Sequence, residues 1–176
     1  MPETELQLEG MAIDEGNILV KARAASAGEI IRRLGGLLYQ NGYVKDSFTQ
    51  AVLDREAIYP TGLQTQLLGF SIPHTDTVHV NRPAVAVATL EGTVNFQAMD
   101  NPEVSVPVSI VMMLAISDPK SVVNVLRKVI SILENEPALR GLAAASSARE
   151  VREIIFDHIK SLADKITTDG SAEFDH

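Results

Sequence analysis

Apolar and polar positions change period along the chain, and each change marks an element. A polar stretch over residues 1–16 is expected to be flexible, and Asn17 to Ala22 (Asn-Ile-Leu-Val-Lys-Ala) then fits a short strand. Ser26-Ala27-Gly28-Glu29 has the spacing of a capping box, in which hydroxyl and carboxylate satisfy the first free N–H groups of a helix. Ile30, Ile31, Leu34, Leu37 and Leu38 follow with helical period, and Asn41-Gly42 stops it. A second helix is predicted behind Asp46 or Ser47, with Phe48, Val52 and Ile58 on its stripe and Pro60 at its end.

From Thr61 to Val80 no period holds, because Gly62, Gly69 and Pro73 interrupt it. Pro83 to Leu90 reads as a strand, Glu91-Gly92 as a turn, and Thr93 to Phe96 as a short strand paired across that turn. Val104 to Ile116 is apolar almost throughout, the mark of a central strand covered on both faces. Asp118-Pro119 sets a capping carboxylate before a proline at the first helical position. Val122, Leu126, Val129, Ile130 and Leu133 keep helical period as far as Pro137, and a short helical piece is expected around residues 138–145. Ser147 and Glu150 repeat the capping box ahead of a last helix with Val151, Ile154, Ile155, Ile159 and Leu162 on one face. Helices early and late, with strands between and among them, predict one α/β domain over residues 17–166, a mixed sheet with helices on both faces. Residues 167–176 are expected to form an acidic, disordered tail.

Composition narrows what such a domain does. The chain has 176 residues, 45% of them hydrophobic, which suits one domain with a real core. Cysteine is absent, so there is no disulfide framework, thiolate nucleophile or cysteine metal site. The acidic start Met1-Pro2-Glu3-Thr4-Glu5 lacks the order of a signal peptide, and Val104–Ile116 is too short to span a bilayer. A soluble, cytoplasmic protein without membrane insertion is expected. Net charge is −8 with no cluster of lysine and arginine, which argues against nucleic acid. An acidic surface either steers a basic protein partner or serves solubility alone.

The chemistry gathers in Gly69-Phe70-Ser71-Ile72-Pro73-His74-Thr75-Asp76-Thr77-Val78-His79-Val80. Pro73 fixes its own φ and pushes Ile72 into an extended conformation, so His74 stands where a strand runs out into a loop. His158 falls on the apolar stripe of the last helix and reads as structural; His176 is terminal. Three readings of His74 stand side by side. It is a surface histidine without a role, or a metal ligand with Asp76 and His79, or a nucleophile that carries a phosphoryl group. A separation of five residues speaks against the metal set, since such positions face opposite ways on a strand and diverge on a helix. The phosphoryl reading needs one exposed ring nitrogen, the other held as an N–H donor, and a cation for the phosphate oxygens. Arg55, from the helix just before the loop, is the nearest cation in sequence.

Three segments together resemble a known family. Arg55-Glu56-Ala57-Ile58-Tyr59-Pro60-Thr61-Gly62-Leu63, Gly69 to Asp76 and Pro83 to Leu90 are similar to the enzyme IIA domains of the bacterial phosphoenolpyruvate-dependent sugar phosphotransferase system, fructose–mannitol superfamily. The Tyr-Pro-Thr-Gly insertion and the second histidine, His79, look most like the galactitol branch. The resemblance implies a mixed five-stranded sheet between helices and a phosphotransferase without cofactor or metal. It implies that His74 accepts a phosphoryl group from phosphorylated HPr, the histidine phosphocarrier protein, and passes it to a cysteine of an enzyme IIB. Arg55 falls on the family's arginine near the site. The mannitol and fructose branches place a further histidine where Val122 stands, so that role is missing here or has passed to His79 as a supporting residue. A regulatory module of the same fold, signalling through phosphorylation of His74, is the alternative. The sugar is not legible, because an enzyme IIA touches a carrier protein and not the sugar.

Overall fold

The apolar run Val104–Ile116 becomes one strand whose side chains feed two separate hydrophobic clusters, one on each face of a sheet. The computed structural model describes residues 7, 8 and 10–172, with side chains over 10–162. Among the described residues the strands are β1 (Gln7–Leu8), β2 (Met11–Ala22), β3 (Gly62–Gln64), β4 (Gly69–Ser71), β5 (Ala84–Gln97) and β6 (Ser105–Ala115). The helices are α1 (Ala27–Gln40), α2 (Phe48–Ile58), α3 (Val122–Leu133), α4 (Glu136–Ala144) and α5 (Ala148–Ala172). Single 3-10 turns cover Thr77–His79 and Pro119–Ser121. The sheet order is β1-β2-β5-β6-β4-β3. β2 runs parallel to β5 and β4 parallel to β6, while the other neighbours are antiparallel. This is the expected mixed α/β sheet: five strands of three residues or more, plus a two-residue strand at the edge.

Strand alternation sorts the core. Ala84, Ala86 and Ala88 of β5, with Val111 and Met113 of β6, pack under α1 and α2. Val85 and Val87, with Ile110, Met112 and Leu114, pack under α3, α4 and α5. Small alanines on the first face let α1 lie close, which is why Ile30, Ile31, Leu34 and Leu38 are all buried. Both capping boxes form: Ser26 Oγ accepts from Glu29 N–H at 3.1 Å, and Ser147 Oγ from Glu150 N–H at 3.2 Å.

Four expectations are corrected. The strand expected from Asn17 is β2 and starts at Met11, with Met11 and Ile13 buried. Asp14-Glu15-Gly16 is an exposed irregularity between the pairs Ile13–Val85 and Ile18–Val87, and its charge hides the strand from a reading by hydrophobicity. In the rest of the expected flexible segment Gln7–Leu8 form β1, and residues 1–6 and 9 lie outside the described residues. Glu91-Gly92 is not a hairpin turn but a bulge within β5, because the strand pairs with β6 on both sides of it, Thr89 with Ile110 and Val94 with Val108. Gly92 supplies the positive φ of 86° that such a bulge requires. The α2 stripe ends at Val52, since Ile58 is 66% exposed. Finally, α5 runs through Ala172, so residues 167–172 are helical; no proline stops its propagation. Residues 173–176, His176 included, lie outside the described residues.

Candidate functional site

The parallel neighbours β4 and β6, inside the sheet, point their carboxyl ends the same way, and crevices beyond the carboxyl ends of such strands are where α/β folds bind ligands. β4 is held tightly against β6: a Cβ at Gly69 would run into the Pro107 carbonyl. Past β4, Pro73 ends the ladder while its carbonyl still accepts from Leu114 N–H at 3.0 Å, and His74 bridges to Leu114. The imidazole is thereby fixed at the C-terminal end of β6 and half-buried. It shares a cleft of about 330 Å³ with Arg55, Asp76, Val78, Pro119 and Val122. Arg55 comes from the last turn of α2, and Val122 opens α3.

The ring has a determined tautomer. His74 Nδ1 lies 2.8 Å from the Ile72 carbonyl oxygen, and a carbonyl only accepts, so Nδ1 carries the proton. Nε2 therefore keeps its lone pair. Burial lowers the affinity of this imidazole for a second proton below that of an ordinary histidine. The nearby Arg55 cation lowers it further, while the Ile72 hydrogen bond and Asp76 oppose both. The outcome is a neutral histidine at pH 7 with one nitrogen free to attack.

Arg55 is the cation of the cleft. Its guanidinium stacks on Tyr59 at 5.3 Å from the ring centre, and Nη1 stands 4.0 Å from Asp76 Oδ1. Its Nε is buried without a hydrogen-bond partner among the described residues. A guanidinium held this loosely has donors left over for a phosphate.

His79 is not brought to the cleft. The 3-10 turn Thr77–His79 carries its ring to the head of α2, where Nδ1 lies 2.8 Å from Ser47 Oγ, and its carbonyl accepts from Lys45 N–H at 2.9 Å. Ser47 and Arg55 are eight residues apart on α2, roughly 12 Å along the axis. The metal set of His74, Asp76 and His79 therefore does not gather, and no group of three or more metal-ligating side chains occurs among the described residues. His158 is structural in its bonding: Nε2 lies 2.9 Å from Ser131 Oγ and Nδ1 3.2 Å from Asn135 Nδ2, tying α5 to the junction of α3 and α4.

At the head of α3 the Asp118 carboxylate accepts from Lys120 N–H at 2.9 Å and Ser121 Oγ donates to the Asp118 carbonyl, so neither Lys120 nor Ser121 lines the cleft. Two polar residues had no role in the sequence reading. Glu56, and Thr61 within the Tyr-Pro-Thr-Gly insertion, are bonded to each other and through Thr61 to Ile72. Their only sequence signal is their place in the arginine-led segment.

Fold and site together define an α/β domain that presents one neutral histidine, its Nδ1–H committed to a backbone carbonyl, in a cleft beside an arginine. The chain belongs to the family "Phosphoenolpyruvate-dependent sugar phosphotransferase system, EIIA 2", whose model matches residues 11–158. It is 30% identical over 99 residues to the galactitol-specific EIIA component of Escherichia coli (strain K12), over 56% of this chain and 65% of that protein, so it spans somewhat less than two thirds of the relative's length. The crystal structure of the mannitol IIA of Escherichia coli superposes with a TM-score of 0.67 at 27% identity, covering 81% of this chain and 97% of that one. The same Escherichia coli mannitol enzyme IIA in complex with phosphorylated enzyme IIB gives a TM-score of 0.65 at 27% identity, over 80% and 94% of the two chains. These likenesses fit the fructose–mannitol superfamily and its galactitol-like branch.

Proposed function

We propose that this chain is a phosphocarrier of a sugar phosphotransferase system of the galactitol-like branch, acting in the cytoplasm. The observation that carries the reading is the His74 ring, its Nδ1–H committed to the Ile72 carbonyl and its Nε2 left to a cleft that also holds Arg55. The Nε2 lone pair attacks phosphorus on phosphorylated HPr; the new N–P bond forms as the bond to the donor histidine breaks. A thiolate of an enzyme IIB then attacks the same phosphorus, and the N–P bond to His74 breaks in turn. Arg55 balances charge on the phosphoryl oxygens in both steps, which is most of what phosphoryl transfer asks of a protein.

Partner proteins suit the surroundings better than a small substrate. Val78 lines the cleft and is 65% exposed, Tyr59 stacks on Arg55 and is 63% exposed, and Val123, next to Val122, is 58% exposed. Apolar side chains around a shallow reactive centre form a dry contact around a transferring group. The mannitol relative's structure with phosphorylated enzyme IIB supports the second partner. His79 acts at one remove in this reading: bonded to Ser47, it pins the turn that follows Thr75 and Asp76. Among the described residues no helix is long and apolar enough to cross a membrane.

The test is incubation with phosphoenolpyruvate, enzyme I and HPr, followed by intact mass. A gain of one phosphoryl group in the native chain, absent from His74→Ala, is expected. No gain in the native chain, or an undiminished gain in the variant, overturns the reading.

A further inference from the structure

The hydrogen bond that sets the His74 tautomer ends on a backbone carbonyl, so something must hold that carbonyl in place. Ile72 is gripped from several sides. Its side chain is buried at 1% exposure, and Pro73 restricts its ψ from the following position. Its N–H donates to Thr61 Oγ1 at 3.3 Å. Thr61 stands just before β3, in register opposite Ile72 by continuation of the pairs Gly62–Ser71 and Leu63–Phe70, so a side-chain oxygen takes the next rung of the ladder.

Thr61 is itself held. Its N–H donates to Glu56 Oε1 at 2.8 Å, and its hydroxyl lies 2.9 Å from Oε2 and 3.1 Å from Oε1. A hydroxyl that accepts from Ile72 and donates to a carboxylate has no rotational freedom left. Burial pushes the Glu56 carboxyl up, and the two Thr61 donors, with Arg55 nearby, work against that and favour the charged acceptor. Glu56 thus follows Arg55 in sequence but does not line the cleft. One turn of α2 sends a cation to the phosphate and a carboxylate to the backbone behind the nucleophile.

We propose that Glu56 and Thr61 are positioning residues: through the Glu56–Thr61–Ile72 chain of hydrogen bonds they hold the carbonyl that keeps the proton on His74 Nδ1, and so select Nε2 as the phosphorylated nitrogen. The proposal rests on the phosphocarrier reading of His74. Its first consequence, the tautomer of the resting ring, does not. Outer hydrogen bonds that orient metal-bound imidazoles commonly change activity by about 10- to 100-fold when removed, and an effect at the lower end of that scale is expected here.

Thr61→Val keeps the shape of the side chain and removes Oγ1, Thr61→Ser restores the oxygen, and Glu56→Gln replaces one acceptor oxygen by a donor. In the unphosphorylated full chain, nitrogen NMR of His74 should report Nδ1–H alone for the native protein and Thr61→Ser. A mixture of the two tautomers is expected for Thr61→Val and Glu56→Gln. After reaction with phosphorylated HPr, the native chain should carry phosphate on Nε2 only. The two disruptive variants should show some Nδ1 product and a turnover about tenfold lower, with the KM for phosphorylated HPr unchanged. Native tautomer, single-site phosphate and native turnover in folded Glu56→Gln or folded Thr61→Val overturn the proposal. So does a loss of turnover that Thr61→Ser fails to rescue. A native chain that shows the fixed tautomer yet takes no phosphate overturns the phosphocarrier reading instead and leaves the positioning role standing.

Discussion

His74 and His158 are both half-buried histidines beside surface hollows, and the hollow at His158 is the larger, about 480 Å³ against about 330 Å³. Size does not separate them. At His158 the protein occupies both ring nitrogens: Ser131 Oγ takes the Nε2 proton and Asn135 Nδ2 donates to Nδ1. No lone pair is left, and among the described residues no cationic side chain lines that hollow. At His74, among the described residues, only Nδ1 is engaged, by a carbonyl, and Arg55 stands in the cleft. The two histidines differ in the nitrogen the fold leaves unused and in the charge placed near it.

The sharpest way to break this contrast is to remove the charge. Arg55→Ala should slow phosphoryl transfer from HPr about 100-fold, as for loss of one preorganised donor at a developing charge, while HPr binding is retained. A rate equal to native in rapid-quench measurements would take Arg55 out of the site. Arg140, on α4, paired with Glu136 and not part of the cleft lining, is the control expected to show no change.

Acid should act on one histidine through its free nitrogen. Because burial lowers the His74 pKa below 6.5, the ring stays neutral when an ordinary histidine would be protonating. Transfer should therefore hold level from pH 8 to about pH 6.5 and fall only below that, as a proton takes the Nε2 lone pair. The linked stability has the same sign. The folded state binds fewer protons at His74 than the unfolded chain, so this contribution is complete above pH 6.5 and is lost as pH falls from there through the lowered folded value. A rate profile centred above pH 6.5 would contradict the burial argument.

His158→Ala sharpens the comparison from the other side. It should leave phosphorylation unchanged and cost about 1–3 kcal/mol in urea unfolding, since Ser131 and Asn135 lose a shared partner at the α3–α4–α5 junction. The smallest effect is expected at His79. Bonded to Ser47 and off the cleft lining, its replacement by alanine should change transfer by about twofold, well under 1 kcal/mol on the barrier. A loss of an order of magnitude would mean that the loop moves His79 to the phosphate during transfer.

Local chemistry determined much of this protein before any packing was considered. Ser26 with Glu29 and Ser147 with Glu150 specify helix starts wherever they occur, because the capped N–H groups lie within four residues. The almost continuous apolar run to Ile116 requires cover on both faces, and Pro73 forces an extended approach to His74. The arginine-led segment and Ile-Pro-His pointed to the family and to the histidine. Tertiary structure alone decided what depends on partners distant in sequence. Gly92 suits a turn or a bulge equally, and continuous pairing with β6 on both sides makes it a bulge. Met11 and Ile13 extend β2 only because β5 lies alongside. His79 looked like a companion of His74 at five residues' distance, yet Ser47, 32 residues earlier, captured its ring. The Glu56–Thr61–Ile72 chain closes only when the end of α2 meets the end of β4. Short-range sterics and capping are written in neighbouring residues. A hydrogen bond across the fold is written in none of them singly, because its geometry exists only after the sheet has brought both ends together.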